Sequence, residues 1–188
     1  MALKNPLYWV AIYCLFGQLA LAGQIEQVQV ERESNQYRLS ISSQLAMPLA
    51  ELQQLLTNYE LVAQANPAIK SLEVVSQSPN GITRIKAKLR VCIWFYCRSL
   101  QQTQNMQLVE PGHLVADLIP AESDFRYGRA DWLMSDHAAG SHLTFSAALT
   151  PDFWVPPLIG PYVIKKKMRE EAIETVLGLE RLAAELNP

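Results

Sequence analysis

Glycine is sparse in this chain, 8 of 188 residues, and proline, at 11, is no more than ordinary. That is too few for a collagen-like or low-complexity protein. Positive charge is not in excess either: 16 Lys and Arg face 18 Asp and Glu, for a formal net charge of −2. A dedicated nucleic-acid binder would carry a basic footprint, so no nucleic-acid partner is expected. No glycine-rich phosphate loop and no nucleophile-elbow sequence occurs, which removes the sequence support for phosphate chemistry and for that type of hydrolase. Histidine is limited to 3 residues, a thin supply for a Ser/His/Asp set assembled in three dimensions. What the chain does have is apolar residues, 49% of the total. That suffices for one domain with a real core, but not for two large ones.

Residues 1–22 read as an address. Lys4 is followed by an apolar run from Leu7 to Phe16, and the segment ends in Ala20-Leu21-Ala22. These are the parts of a secretory signal peptide with a small-x-small cleavage site. The alternative is an uncleaved anchor, which Pro6, Gly17 and Gln18 weaken by interrupting a stretch already short for a bilayer span. Cleavage after Ala22 leaves residues 23–188 as one domain, with two cysteines and a formal charge of −3. The expected location is the periplasm.

The mature chain opens on two short strands. Val28 and Val30 alternate on one parity, Tyr37, Leu39 and Ile41 on the other, with a polar turn at Glu33-Ser34-Asn35-Gln36. Pro48 opens a helix whose apolar face is Leu49, Leu52, Leu55, Leu56 and Tyr59, and Asn66-Pro67 breaks it. Leu72 to Val75 begins a run of strands, with a turn at Ser78-Pro79-Asn80-Gly81. Ile85, Ala87, Leu89, Val91 and Ile93 then alternate strictly with Arg84, Lys86, Lys88, Arg90 and Cys92, which puts one face in a core and the other in water. Gln101–Val109, Ser123–Met134 and Ser141–Leu149 supply further strands. From about Tyr162 to Leu186 a long helix carries Ile164, Met168, Ala172, Val176, Leu179, Ala183 and Leu186 on one stripe. The class is α+β: an antiparallel sheet with one apolar face, for which only helices are available as cover.

This layout resembles the START-like superfamily, also called SRPBCC, and within it the polyketide cyclase/dehydrase and coenzyme-Q-binding group, here in a secreted form. The resembling segments are Leu56-Thr57-Asn58-Tyr59-Glu60 with Asn66-Pro67-Ala68-Ile69 after the first helix, and Phe153-Trp154-Val155-Pro156-Pro157 before the last. The similarity runs over most of residues 25–186. It implies a helix-grip fold, a curved antiparallel sheet wrapped around the long C-terminal helix, with an additional N-terminal β-hairpin. It also implies a hydrophobic tunnel between sheet and helix.

Cys92 and Cys97 flank Ile93-Trp94-Phe95-Tyr96. On one straight strand their Cα atoms would lie about 17 Å apart, far beyond the reach of a disulfide. A hairpin with a four-residue loop would set them opposite each other, and an oxidising compartment favours a bridge. The alternative is two free thiols, one facing in and one out. The aromatic loop between them either caps a tunnel mouth, touches lipid, or folds back on the core.

Two cationic groups stand out. Arg84, Lys86, Lys88 and Arg90 form a stripe on the wet strand face, either simply solvated or meeting anionic headgroups. Lys165, Lys166, Lys167 and Arg169 lie near a helix start, where the dipole disfavours cations. Glu170, Glu171 and Glu174 can offset them through pairs one turn away. Asp136, His137 and His142 are metal-ligand types in no recognisable ligand pattern, so no metal is expected, and no cofactor.

The functional expectation is a binding or carrier protein for an apolar small molecule, lipid, isoprenoid or quinone-like. The expected wall is Leu89, Val91, Phe145, Leu149, Trp154, Met168 and Val176, with Tyr59 or Trp132 as a polar edge. Ala87, Ala147, Ala172 and Ala183 are small enough to leave a gap between helix and sheet. Peripheral contact with an anionic membrane surface accompanies this reading. Two others stay open: a cyclase or hydrolase using the same cavity, and an envelope module that docks a protein partner.

Overall fold

The computed structural model describes residues 23–93 and 96–186. The leader reading of 1–22, and Trp94 and Phe95 of the aromatic loop, lie outside the described residues. In chain order the elements are β1 (Gln24–Glu33), β2 (Gln36–Leu45), α1 (Leu49–Thr57), α2 (Tyr59–Ala65), β3 (Ile69–Gln77), β4 (Ile82–Ile93), β5 (Tyr96–Glu110), β6 (His113–Leu118), a 3-10 turn (Pro120–Glu122), β7 (Phe125–His137), β8 (Gly140–Pro151) and α3 (Gly160–Leu186). One eight-stranded antiparallel sheet runs in the order β1-β2-β8-β7-β6-β5-β4-β3. The N-terminal hairpin is therefore one edge of this sheet, joined to the rest by pairing of β2 with β8.

The period-of-two reading holds in β2 and in the middle of β4. Tyr37, Leu39, Ile41 and Leu45 are buried, whereas Arg38 and Ser40 between them are exposed. Ile85 and Ala87 are each 2% exposed and face the core. The core lies under α1, α2 and the C-terminal part of α3, where Leu52, Leu55, Val176, Leu179 and Leu182 meet Ile41, Leu45, Leu114 and Leu143. Burying this set removes the apolar face of the sheet from water, the main force for the fold.

Three local features differ from expectation. β6 was not expected, because Leu114-Val115-Ala116 is a continuous apolar run, buried on both faces, with no alternation to announce it. The first helix is two: Asn58 closes α1 by donating its N–H to Gln54 and Leu55, and its side chain accepts from Leu61 N to start α2. The hairpin at Cys92 and Cys97 is tighter than a four-residue loop, since Ile93 still pairs with Tyr96. The cysteines are directly opposite, with Cα atoms 4.0 Å apart, and are bonded. Both belong to the outer parity of the sheet, with Arg90 and Ser99.

α3 is fastened along its C-terminal part. Gly178 lies so close to α2 that a Cβ there would stand 1.8 Å from the Ala65 carbonyl oxygen. Asn66, 5% exposed, donates from Nδ2 to Glu171 O and Thr175 Oγ1 and accepts from Ala68 N. Glu180 accepts from Ala46 N at 2.7 Å, and burial pushes its carboxyl up from the ordinary value. Among the described residues, no helix is long and apolar enough to cross a membrane.

Candidate functional site

The concave face is not uniformly sealed. Inward-facing positions under α1 and the C-terminal part of α3 are buried, whereas several others on the same face are only half-buried among buried neighbours such as Leu39, Ala116 and Ile85. Ala147 of β8 pairs with Leu39 and Ala130, and Ala130 pairs with Ala116 of β6. One row of the sheet is thus floored by three alanines side by side. In the next row Leu149 pairs with Gly128, over which the side chains of Leu118 and Leu149 close; a Cβ on Gly128 would come within 2.9 Å of Leu118 Cβ. This row continues through Gln104 to Ile85. Leu118, Ala130, Ala147 and Leu149 are half-buried, as are Ile164 and Met168 on the N-terminal part of α3. A helix that pressed on this floor would bury it.

Polar groups enter from β4 and β5. Gln102 pairs with Ala87 and Gln104 with Ile85, so both amides share the inward parity, and both are half-buried. Thr83 lies on the same parity and hydrogen-bonds to Tyr59, whose phenol is pushed up from its ordinary value by burial. Tyr59 also lines an open groove of about 380 Å³ between the α1–α2 junction and Val74 of β3. It stands between that groove and the concave face. The two glutamines were missed in the sequence because they belong to a strand that reads only as polar. The signal available was their parity opposite Ile85 and Ala87.

The nine residues expected to bind ligand fall in several places. Tyr59, Trp132, Phe145 and Met168 pack against the core from its half-open side, and the Trp132 and Phe145 rings meet at 4.9 Å. Leu149 lies one row further. Leu89 and Val91 share the face but not the place: from Phe145 to Val91 the register offset is ten residues, about 33 Å measured along the strands. Strand length separates them, because β4 runs on to the hairpin tip beyond the end of β6. Val176 is 2% exposed and sealed beneath the fastened part of α3. Trp154 is 78% exposed and is not brought into the wall. Phe153, its neighbour, is the residue that turns inward, edge-on to Phe125 at 6.1 Å and under the Arg98 guanidinium at 4.3 Å.

The outer face carries charge networks and a shallow groove. The groove, about 330 Å³, has a floor of Ser40, Ser146 and Ala148 between Arg38 and Arg129. Both guanidiniums are already paired, Arg38 with Glu33 at 2.9 Å and Arg129 with Asp117 at 3.0 Å. It is a poor match for an apolar ligand. Nearby, Glu26, Ser42 and His142 meet, a serine, a histidine and a carboxylate, but not in a nucleophile-activating order. Ser42 Oγ donates to Glu26 Oε2 at 2.6 Å, and the single His142 Nε2 lies 3.0 Å from Ser42 Oγ and 3.1 Å from Glu26 Oε2. Activation needs the serine on one ring nitrogen and the carboxylate on the other. Hydrogen bonds from Ser42, Gln44 and His142 hold the Glu26 carboxyl down at about 2.

Of the cationic groups, Arg84 is bonded to Asn105 at 3.1 Å, and Lys88 and Arg90 are exposed on the outer face as the alternation requires. Lys167 pairs with Glu170 at 2.8 Å and Glu171 at 3.6 Å, and Lys166 with Glu170 at 3.8 Å. Lys165 has no ion pair among the described residues.

Comparison with solved structures identifies the fold. A START superfamily protein from Mycobacterium smegmatis matches 81% of this chain and 99% of its own, with TM-score 0.62 and 17% identity. A STAR-related lipid transfer protein from Xanthomonas axonopodis matches 86% of this chain and 99% of its own, with TM-score 0.62 and 12% identity. The Zhui aromatase/cyclase from Streptomyces sp. R1128 matches 78% of this chain and 89% of its own, with TM-score 0.56 and 10% identity. No protein-family model and no curated protein matches the sequence. At these identities the likeness is one of architecture.

Proposed function

With the START-like, helix-grip fold as the premise, we propose that this protein is a periplasmic binding or carrier protein for an apolar small molecule with a hydrogen-bonding head: a lipid, isoprenoid or quinone-like compound. The observation that carries the reading is the floor of Ala130, Ala147, Leu118 and Leu149, which faces inward yet stays only half-buried. An apolar body laid there gains about 25 cal/mol per Å² removed from water, before ordering costs. Gln102, Gln104 and the Tyr59–Thr83 pair supply donors and acceptors for the head. Ligand residues in this reading are Tyr59, Trp132, Phe145, Leu149 and Met168, with Leu89 and Val91 along the outlet toward the hairpin tip.

The compartment belongs to the same proposal. The leader is removed after Ala22, and the Cys92–Cys97 bridge suits an oxidising space. Intact mass should show a chain beginning at Gly23. The apolar cargo implies a membrane at each end of its journey, and hence peripheral contact with an anionic bilayer surface.

The test is uptake of a fluorescent lipid or quinone analogue, with mass spectrometry of organic extracts from protein taken from its own envelope. Ala147→Trp fills the floor and should abolish uptake while leaving the circular dichroism spectrum intact. Leu149→Arg, at the half-buried rim, should weaken uptake about tenfold or more. A parent that takes up no apolar probe, or folded variants that bind as the parent does, would overturn the carrier reading.

A further inference from the structure

The segment between β8 and α3 is exposed in a way the rest of the chain is not. Among the described residues, the large apolar side chains more than 60% exposed are Trp154 (78%), Leu158 (93%), Ile159 (66%) and Tyr162 (72%). All four fall within nine consecutive residues. Scattered single apolar residues on a surface need no explanation, but a contiguous group does. Proline stiffens the segment at 156, 157 and 161, and Phe153 anchors its start against Phe125 and Arg98. The exposed side chains are thus displayed on a fixed support.

The charge within this stretch is positive, although Lys166 and Lys167 also pair with Glu170 just beyond it, which leaves Lys165 without an ion pair among the described residues. Between Asp152 and Glu170 the chain has Lys165, Lys166, Lys167 and Arg169 and no acid. The first turn of α3 carries no acidic residue, so the positive end of the helix dipole adds to the lysines instead of being offset. Lys165 and Lys166 are exposed within a turn of Tyr162. Arg98, one residue from the bonded Cys97, extends the positive rim to the hairpin tip. The formal charge of the whole chain is −2, so this concentration is local and not a reflection of composition.

We propose that residues 154–162, together with Lys165 and Lys166, form the surface by which the protein docks on an anionic lipid bilayer. Trp154 and Tyr162 sit at the headgroup level, where amphipathic rings are favoured. Leu158 and Ile159 enter the acyl boundary, and the lysines meet anionic headgroups. The cargo-binding function deepens accordingly. The same segment leads directly into the N-terminal part of α3, so docking would bring the half-buried floor of the concave face toward the bilayer from which an apolar molecule would enter. The docking claim itself rests only on the exposed side chains and the charge around them.

The experiment is vesicle co-sedimentation of the exported protein, with neutral phosphatidylcholine vesicles and vesicles containing a quarter phosphatidylglycerol. The parent should bind the anionic vesicles and lose that binding as salt is raised. The double variant Leu158→Glu, Ile159→Glu should bind at least about tenfold less. Both changed side chains are exposed, so thermal stability should be unchanged. Lys165→Glu with Lys166→Glu should remove the preference for anionic over neutral vesicles. Uptake of a short-chain apolar probe from solution is measured in parallel. Intact uptake with lost vesicle binding separates this surface from the cavity. A parent that ignores both vesicles, or a double variant that sediments as the parent does, overturns the proposal. So does a parent that is dimeric in solution and becomes monomeric in the double variant, which would make the patch a self-association face.

Discussion

The two parts of α3 share one helix and one apolar stripe, yet they live in different surroundings. From Ala172 to Ala183 the stripe is buried and fastened: Gly178 touches the α2 backbone, Asn66 reaches across to Glu171 and Thr175, and Glu180 holds Ala46. From Gly160 to Met168 the same period continues, but Ile164 and Met168 stay half-buried and Tyr162 is 72% exposed. Nothing in the stripe itself marks the change. It is set by what each part meets: α2 and the Ala46 backbone hold the C-terminal part, whereas near the other end Arg169 reaches the Val28 carbonyl of β1. One part is built for stability, and the other leaves apolar surface that the proposed function would use.

The sharpest way to break this comparison is at Gly178. In Gly178→Ala the new methyl would need the space of the Ala65 carbonyl, and α2 would have to move away. Helix propensity alone would favour alanine by about 1 kcal/mol, so a loss tests the close approach directly. We expect about 3 kcal/mol of destabilisation, read as a fall in Tm of about 6–12 °C. A variant as stable as the parent would show that the helices do not meet there.

A matched pair sharpens the contrast. Val176→Ala empties a site 2% exposed and should cost about 2 kcal/mol. Met168→Ala, on the half-buried part, should cost about 1 kcal/mol or less, although the side chain removed is larger. Chemical denaturation of the ligand-free protein decides this, and equal losses would remove the distinction. With an apolar probe bound, Met168→Ala should weaken binding and Val176→Ala should not.

The smallest effect belongs to the outer face. Glu26 is held at about 2 against an ordinary 4.5 by hydrogen bonds from Ser42, Gln44 and His142. A carboxyl with a lowered folded pKa stabilises above its unfolded value, and that contribution fades as pH falls from 4.5 toward 2. Glu26→Gln should therefore flatten the acid limb of the stability curve in that window, with parent and variant converging at its lower end. An unchanged limb would mean the hydrogen bonds do not hold the carboxylate in solution.

Legibility followed periodicity. Alternation in 85–93 and 143–149 announced which face of each strand is inward, and the stripe of α3 announced its buried side. β6 stayed hidden because its apolar run is continuous, and the split at Asn58 because one residue serves as both the end of α1 and the cap of α2. Within the candidate site, Phe145, Leu149 and Met168 were readable as inward apolar groups, and Trp132 as a polar edge beside them. Gln102 and Gln104 were not, since a polar strand reads as solvated until its neighbours are known.

The amino-acid order by itself determined most of the sequence of elements, the inward face of the strands that alternate, the START-like likeness and the nearness of Cys92 to Cys97 across a hairpin. Each of these rests on neighbours a few residues apart, or on a hairpin that brings them together. Tertiary structure alone decided that Val176 is sealed while Met168 is not, that Val91 lies far along the sheet from Phe145, and that Phe153 turns inward while Trp154 faces out. These depend on which side chain stands across the gap. That is set by the register of eight strands and by one close helix contact, distances that no local pattern encodes.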